Sequence, residues 1–277
     1  MVIHSVSSVY SVVQKHQPQN YSTRGEKILA DMQYLYAWFK KYTQLFYSDD
    51  PSVMSGILLK EEHSYRVAKN AADLALNLTL DNRRRIIAET AGLLHDLARY
   101  DQWVKFHSFS DPGTGFDHGS IGAEKLKNTG ILKKTFSPDE EDIILFAIHH
   151  HNKLAIPDDS ADKVLFTQIL RDADKLDIFR IMPPIVAEHD YTPILIEYLQ
   201  SGRPLPYTEI RTPADKRLVR LGWLYDINFS WTLKQLVKEG FADQLLSSLP
   251  DTAPFNRIRY IFKEYIHRKI DTDCKKK

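Results

Sequence analysis

The sequence predicts an all-α fold, a helical bundle with a helical C-terminal extension. Apolar residues recur at spacings of three and four along most of the chain. Helix-start signals precede several of these runs, and no alternating strand series occurs. The 277 residues are enough to bury a sizeable core without disulfide staples.

In chain order, Met1 to Thr23 is polar and without period, which predicts a flexible tail. Ile28, Met32, Leu35, Tyr36, Phe39 and Tyr42 then form one helical face, and Ser48-Asp49-Asp50-Pro51 is a break. Leu59, His63, Val67, Ala71, Leu74 and Leu78 form a strong 3.6-residue stripe. Asp81-Asn82 offers an N-cap for a helix whose face is Ile87, Ala91, Leu94, His95 and Ala98. Trp103 to Gly115, aromatic and containing Asp111-Pro112-Gly113, is expected to be a loop. His118, Ile121, Gly122 and Leu126 start a short helix closed by Gly130. Ser137-Pro138-Asp139-Glu140 starts another, running to about His151, with proline at its first position. Pro157-Asp158-Asp159 precedes a helix from Ala161 to about Ile181. Pro183-Pro184 is the clearest internal boundary, dividing a core over 24–184 from a C-terminal extension over 185–277 packed on the same unit. Within the extension Pro204-Leu205-Pro206 is a connector, and Ile258, Ile261, Phe262, Tyr265 and Ile266 mark a final amphipathic helix.

Composition bounds the function. Thirty-seven Lys and Arg offset 36 Asp and Glu, a net charge of +1, so no electrostatic case exists for general nucleic-acid binding. The single cysteine, Cys274, excludes an intramolecular disulfide framework and a thiolate zinc site. No apolar run approaches the roughly 20 residues that span a bilayer, so no membrane partner is expected. Met1 to Asn20 lack the basic start and apolar block of a signal peptide, which leaves a cytoplasmic soluble protein as the expectation.

Several of the 11 histidines stand where a core residue belongs. His63 interrupts the stripe between Leu59 and Val67, His95 follows Leu94, and His118 aligns with Ile121 and Gly122. A single such histidine is commonly a satisfied core residue. Three on three helices are harder to satisfy separately, whereas a shared metal satisfies all at once. Asp96, among leucines, is costly unless paired or metal-bound, and Arg99 at i+3 is the alternative partner. In His149-His150-His151, the moment of Ile143, Ile144, Ala147 and Ile148 points toward His151, with His150 in reserve. In Arg171-Asp172-Ala173-Asp174-Lys175-Leu176-Asp177, periodicity does not choose between Asp172 and Asp174, and pairing with Arg171, Lys175 and Arg180 explains one or two of the three acids.

The order His63, His95-Asp96, His118, His151 and an Asp near 174 resembles the HD-domain superfamily of metal-dependent phosphohydrolases, over Leu59 to about Arg180. A narrower likeness joins His95-Asp96-Leu97-Ala98-Arg99-Tyr100-Asp101-Gln102, Asp117-His118, His151-Asn152, Arg171–Asp177 and Leu224–Phe229 to a bacterial branch of uncharacterised HD proteins. The resemblance implies an HD-type helical bundle. It assigns His63, His95, Asp96 and Asp174 as ligands of a first metal, the Ala-Asp-Lys-Leu match choosing Asp174 over Asp172. His118 and His151 match the positions for a second. Imidazole with carboxylate suits a divalent ion, Mn, Fe, Ni, Co, Zn or Mg, one or two per chain. The implied activity is hydrolysis of a phosphate ester of a nucleotide or similar small phosphorylated metabolite by metal-activated water. Asp96 would bridge or orient the nucleophile, and Arg99 and Lys175 would stabilise phosphoryl charge, with Lys60 and Arg66 as weaker candidates. Phosphomonoesterase and phosphodiesterase chemistry are both open, as is oligomeric state. The alternative is a non-catalytic metal- or nucleotide-binding regulatory module. Members that cleave cyclic dinucleotides carry a Gly-Tyr-Pro motif after paired histidines. Here Asn152-Lys153-Leu154-Ala155-Ile156-Pro157 follows His151, which lowers the case for that substrate. Asp226, between Tyr225 and Ile227, is read as a helix cap rather than a lining of the site.

Overall fold

The computed structural model describes residues 23–182, 190–203 and 205–274, and among them it is helical with no strand. The expected tail up to Ser22, the Pro183-Pro184 boundary and Lys275–Lys277 lie outside the described residues. The first half comprises α1 (Thr23–Gln44), α2 (Pro51–Asn77), α3 (Asn82–Leu94), α4 (Leu97–Phe106), a single turn α5 (Asp111–Thr114), α6 (His118–Thr129), α7 (Pro138–His150) and α8 (Ala161–Ile181). After it come α9 (Pro193–Gln200), α10 (Asp215–Tyr225), α11 (Ser230–Lys238), α12 (Phe241–Ser247) and α13 (Ala253–Cys274).

Helix boundaries follow capping chemistry. Asp50 accepts from the Ser52 amide at the start of α2, and Asp81 from the Arg84 amide at the start of α3. Ser137 and Glu140 form a reciprocal capping box on α7, with Pro138 at the first position. Gly130 ends α6 in the left-handed region at φ 62°, where a side chain would be strained.

The core is built around α2, which packs most extensively on α3 and α8. Val67, Ala71, Leu74, Leu94, Ile148 and Ile169 are fully buried there. Leu59 departs from the expected stripe: it is 42% exposed, and Ile57, two residues before it, is buried instead. Small residues set the α2–α3 spacing. A Cβ on Gly92 would lie 2.8 Å from the Ala68 Cα and 2.9 Å from the Ala68 nitrogen and the Val67 carbonyl oxygen, all backbone of α2. Gly92→Ala must therefore spread the two helices that carry His63 and His95. It is expected to cost about 1–3 kcal/mol, read as a lowered denaturation midpoint; an unchanged midpoint would mean the helices are not held at this distance.

Two expected elements differ. The face from Ile87 to Ala98 is not one helix, because the chain turns at Asp96 (φ −104°, ψ 21°) between α3 and α4. Trp103 to Gly115 is not a loop throughout. Helix α4 continues to Phe106, His107 adopts a left-handed cap at φ 48°, and Asp111–Thr114 forms a turn of helix capped by Ser110. Aromatic rings explain the continuation: Trp103 stacks on Phe109 and its indole N–H donates to the Val53 carbonyl, so α4 is pinned to α2.

Helix α8 joins two apolar cores. Ile169, Leu170 and Ala173 belong to the first, whereas Leu176 and Phe179 belong to a second with Leu195, Leu218, Leu236 and Phe262. Trp231 packs against both. The join is also polar. Asp172, fully buried, accepts from the Asn228 and Phe229 amides and from the Asn228 side chain at 2.8–2.9 Å.

Candidate metal centre

Four helices and the turn between α3 and α4 converge on one buried point. His63 comes from α2, His95 and Asp96 from the turn, His118 from the start of α6, His151 from the end of α7 and Asp174 from α8. Consecutive residues of a straight helix diverge by about 100°. The turn at Asp96 removes that divergence, and both His95 and Asp96 reach the cluster.

Each histidine is oriented through its Nδ1. His63 Nδ1 meets Asp177 Oδ2 at 2.7 Å, His95 Nδ1 meets the Gly92 carbonyl at 2.8 Å, and His151 Nδ1 meets the Ile148 carbonyl at 2.6 Å. His118 Nδ1 contacts Asp111 Oδ2. Carbonyl and carboxylate oxygens only accept, so Nδ1 carries a proton in each ring and Nε2 is the nitrogen left to ligate. The four Nε2 atoms face inward. His118 Nε2 and His151 Nε2 lie 3.0 Å apart, a repulsive approach of two lone pairs unless a proton or cation sits with them.

The carboxylates complete two groups. His63, His95 and Asp174 offer ligand atoms within 4.8 Å of one another, and so do His95, Asp96 and His151. Asp96 Oδ2 lies 3.3 Å from His95 Nε2 and 3.5 Å from His63 Nε2, while Asp96 Oδ1 lies 3.6 Å from His118 Nε2. Asp96 thus stands between the two groups.

The donor set fits a divalent ion. His63 Nε2, His95 Nε2 and Asp174 Oδ1 are buried with no hydrogen-bond partner, and His63 Nε2 and Asp174 Oδ1 lie 3.1 Å apart. Three polar atoms orphaned at one point cost several kcal/mol unless a shared cation satisfies them. The electrostatics agree. Burial disfavours a charged His95, yet Asp96 and Asp174 push it up to about 10. Burial likewise opposes ionisation of Asp96 and Asp174, but His95 and Lys60 beside the first, and His63 and His95 beside the second, hold both well below the usual carboxylate range. Burial, with His118 and His95 alongside, pushes His151 well down into its neutral, ligating form. Burial also pushes His118 down against the pull of Asp111.

Asp174 is where the cluster meets solvent: its side chain is 18% exposed, whereas the other five residues are at most 6% exposed. The alternatives left open by periodicity separate here. Asp172 points to Asn228 and Phe229, and His150 lies against Phe146, outside the cluster. The cations are all tethered. Arg99 donates to Asp111, the Phe109 carbonyl and Gln102, with its Nε 3.6 Å from Asp96. Lys60 donates to Asp96 at 2.7 Å and lies over the Phe109 ring. Lys175 pairs with Asp226 at 2.8 Å. Asp226 does occupy the C-cap position of α10, but its carboxylate is used on α8 rather than on its own helix.

Three supporting residues were not singled out from the sequence. Asp177 orients His63 and is itself held by Arg66 Nε at 2.7 Å. Asp111 connects His118, Arg99 and Asn152. Asn152 donates to Asp111 and Asp117, and it fits only because Gly119 has no Cβ, which would fall 2.4 Å from its side-chain oxygen.

Comparison with curated proteins and with solved structures gave no significant match. The family model described as HD domain matches residues 61–178, a span that holds all six residues of the cluster. HD domains bind divalent metals and are mostly metal-dependent hydrolases. The match covers residues 61–178, and an all-helical fold with an inward-facing His/Asp cluster inside that span is consistent with the HD-domain superfamily.

Proposed function

We propose that the protein is a metal-dependent phosphohydrolase that cleaves a phosphate ester of a nucleotide or similar small phosphorylated metabolite. The observation that carries this reading is the orientation of four imidazoles with Nε2 inward around Asp96 and Asp174. His63, His95, Asp96 and Asp174 would hold one divalent ion and His118 and His151, with Asp96, a second. Bound there, the ions would supply Lewis acidity toward phosphoryl oxygens and lower the pKa of a water. The chain supplies the rest. Asp96, between the two groups, orients the attacking water and takes up its proton's hydrogen bond. Lys60 and Arg99, each close to Asp96, put positive charge where the phosphoryl oxygens gain negative charge. Asp111 and Gln102 keep the Arg99 guanidinium fixed, so little reorganisation is needed during reaction.

The test is a hydrolysis screen over nucleoside mono-, di- and triphosphates, sugar phosphates and a cyclic dinucleotide, with added Mn. Turnover of at least one phosphate ester is expected, falling at least about a hundredfold in Asp96→Asn, since even residues that only orient ligands are worth ten- to a hundredfold. Metal retention without turnover of any phosphate ester would favour the non-catalytic regulatory module instead.

A further inference from the structure

Lys60 and Arg99 each lie by Asp96 of the cluster, whereas Arg171 and Lys175, on the helix that carries Asp174, share a carboxylate outside it. Asp226 Oδ2 accepts from Arg171 Nη2 at 2.7 Å and from Lys175 Nζ at 2.8 Å. The two cations are nearly buried, with side chains 5% and 13% exposed, whereas the Asp226 side chain is 45% exposed. Arg171 Nε is buried and has no hydrogen-bond partner, so the guanidinium has donor capacity to spare.

Their position is specific. Lys175 follows Asp174, the cluster residue that opens to solvent, and Arg171 precedes it by one turn of α8. Arg171 Nη1 also donates to the Lys153 carbonyl at 2.5 Å, two residues past His151. The cation pair is thus bracketed by the segments that carry His151 and Asp174. The carboxylate that neutralises it comes from 226, outside the matched family span. It is delivered by the turn that Asp172 grips through Asn228 and Phe229. Asp172 itself is turned to those amides.

We propose that Arg171 and Lys175 form an anion subsite for the substrate's phosphate, and that Asp226 is an internal counter-ion which the phosphate displaces. The proposal rests on the phosphohydrolase reading and narrows it. Displacing Asp226 exposes two positive charges, which a phosphomonoester dianion matches and a diester monoanion half-matches. The C-terminal extension then tunes substrate affinity from outside the metal cluster, because the exposed carboxylate competes with every incoming anion.

Inorganic phosphate is the probe, titrated by calorimetry into the full chain after chelation, so that binding is read without metal and without turnover. Removing the competing carboxylate in Asp226→Asn is expected to tighten phosphate binding about tenfold, the equivalent of one charge-assisted hydrogen bond. Lys175→Gln is expected to weaken it by a similar factor in the parent and in the Asp226→Asn background. Dimethyl phosphate, a monoanion, is expected to bind more weakly than phosphate to every variant that binds either. Unchanged phosphate affinity in a folded Asp226→Asn overturns the counter-ion role. Should Asp226→Asn not fold, Lys175→Gln alone decides, and unaltered phosphate affinity there overturns the subsite. Equal affinity for dimethyl phosphate overturns the dianion assignment. These readouts separate the two readings: phosphate binding with no hydrolysis in the presence of Mn removes the enzyme and leaves the subsite.

Discussion

Purified protein supplied with Mn or Ni is expected to retain about one or two equivalents of metal, and a His95→Ala, Asp96→Ala double variant none. The expectation follows from the shared position of these residues: His95 is in both three-ligand groups, and Asp96 lies between them. A metal at a hundredfold excess over its Kd adds about 2.7 kcal/mol of stability. For a chain of this size that is a rise in melting temperature of about 5 °C or more. The pH dependence has a definite sign. Without metal, His95 is held protonated up to about pH 10 by Asp96 and Asp174 despite its burial. Metal binding must expel that proton, so affinity should rise with pH across the neutral range, and calorimetry in buffers of different ionisation enthalpy should register proton release. The double variant should lose both the metal and the thermal shift. If the parent protein holds no metal and added Mn or Ni leaves its melting temperature unchanged, the cluster is a set of core histidines and the phosphohydrolase reading fails with it.

The helices and the cluster histidines were legible because burial leaves a trace in local spacing. His63 and His95 stand in apolar stripes, and they are fully buried. His151 follows the moment of its helix, and it is the buried member of its triplet. What could not be read locally was the partner of each ring. Asp177 looks in sequence like one more acid beside Arg171, Lys175 and Arg180. Its actual partners, His63 and Arg66, come from a helix more than a hundred residues earlier. Asp111 stands in a Pro-Gly turn, where an acid is expected for backbone reasons, and its contact with His118 depends on how α5 packs. The choice of Asp174 over Asp172 came from the family motif rather than from periodicity, since both acids share apolar helix faces. In the structure they serve different neighbours, Asp174 facing His63 and Asp172 facing the 228–229 backbone. The turn at Asp96 was hidden for a related reason. Leu93 to Ala98 is uniformly buried on both sides of it, so the apolar pattern runs through the break.

Asp172→Ala is expected to be the most destabilising single change at the join between the two apolar cores. One carboxylate there satisfies three donors, the Asn228 and Phe229 amides and the Asn228 side chain. Burial raises the Asp172 pKa, and those three hydrogen bonds pull against it, so they stabilise the charged form. Deleting the acceptor leaves two backbone N–H groups to find water at a packed surface, at a cost of about 3–5 kcal/mol. Asp172→Asn keeps one acceptor oxygen but brings two donors of its own to a site that already has three, so it should fall between parent and alanine variant. The damage should also be local in a particular way. The turn that Asp172 holds is the one that carries Asp226 to Arg171 and Lys175, so its release should speed amide exchange at Asn228 and Phe229 before it affects α2 or α3. A loss below about 1 kcal/mol in urea denaturation, within the range of an ordinary surface substitution, together with unaltered exchange at those two amides, would show that apolar packing around Leu176 and Trp231 holds the extension without this carboxylate.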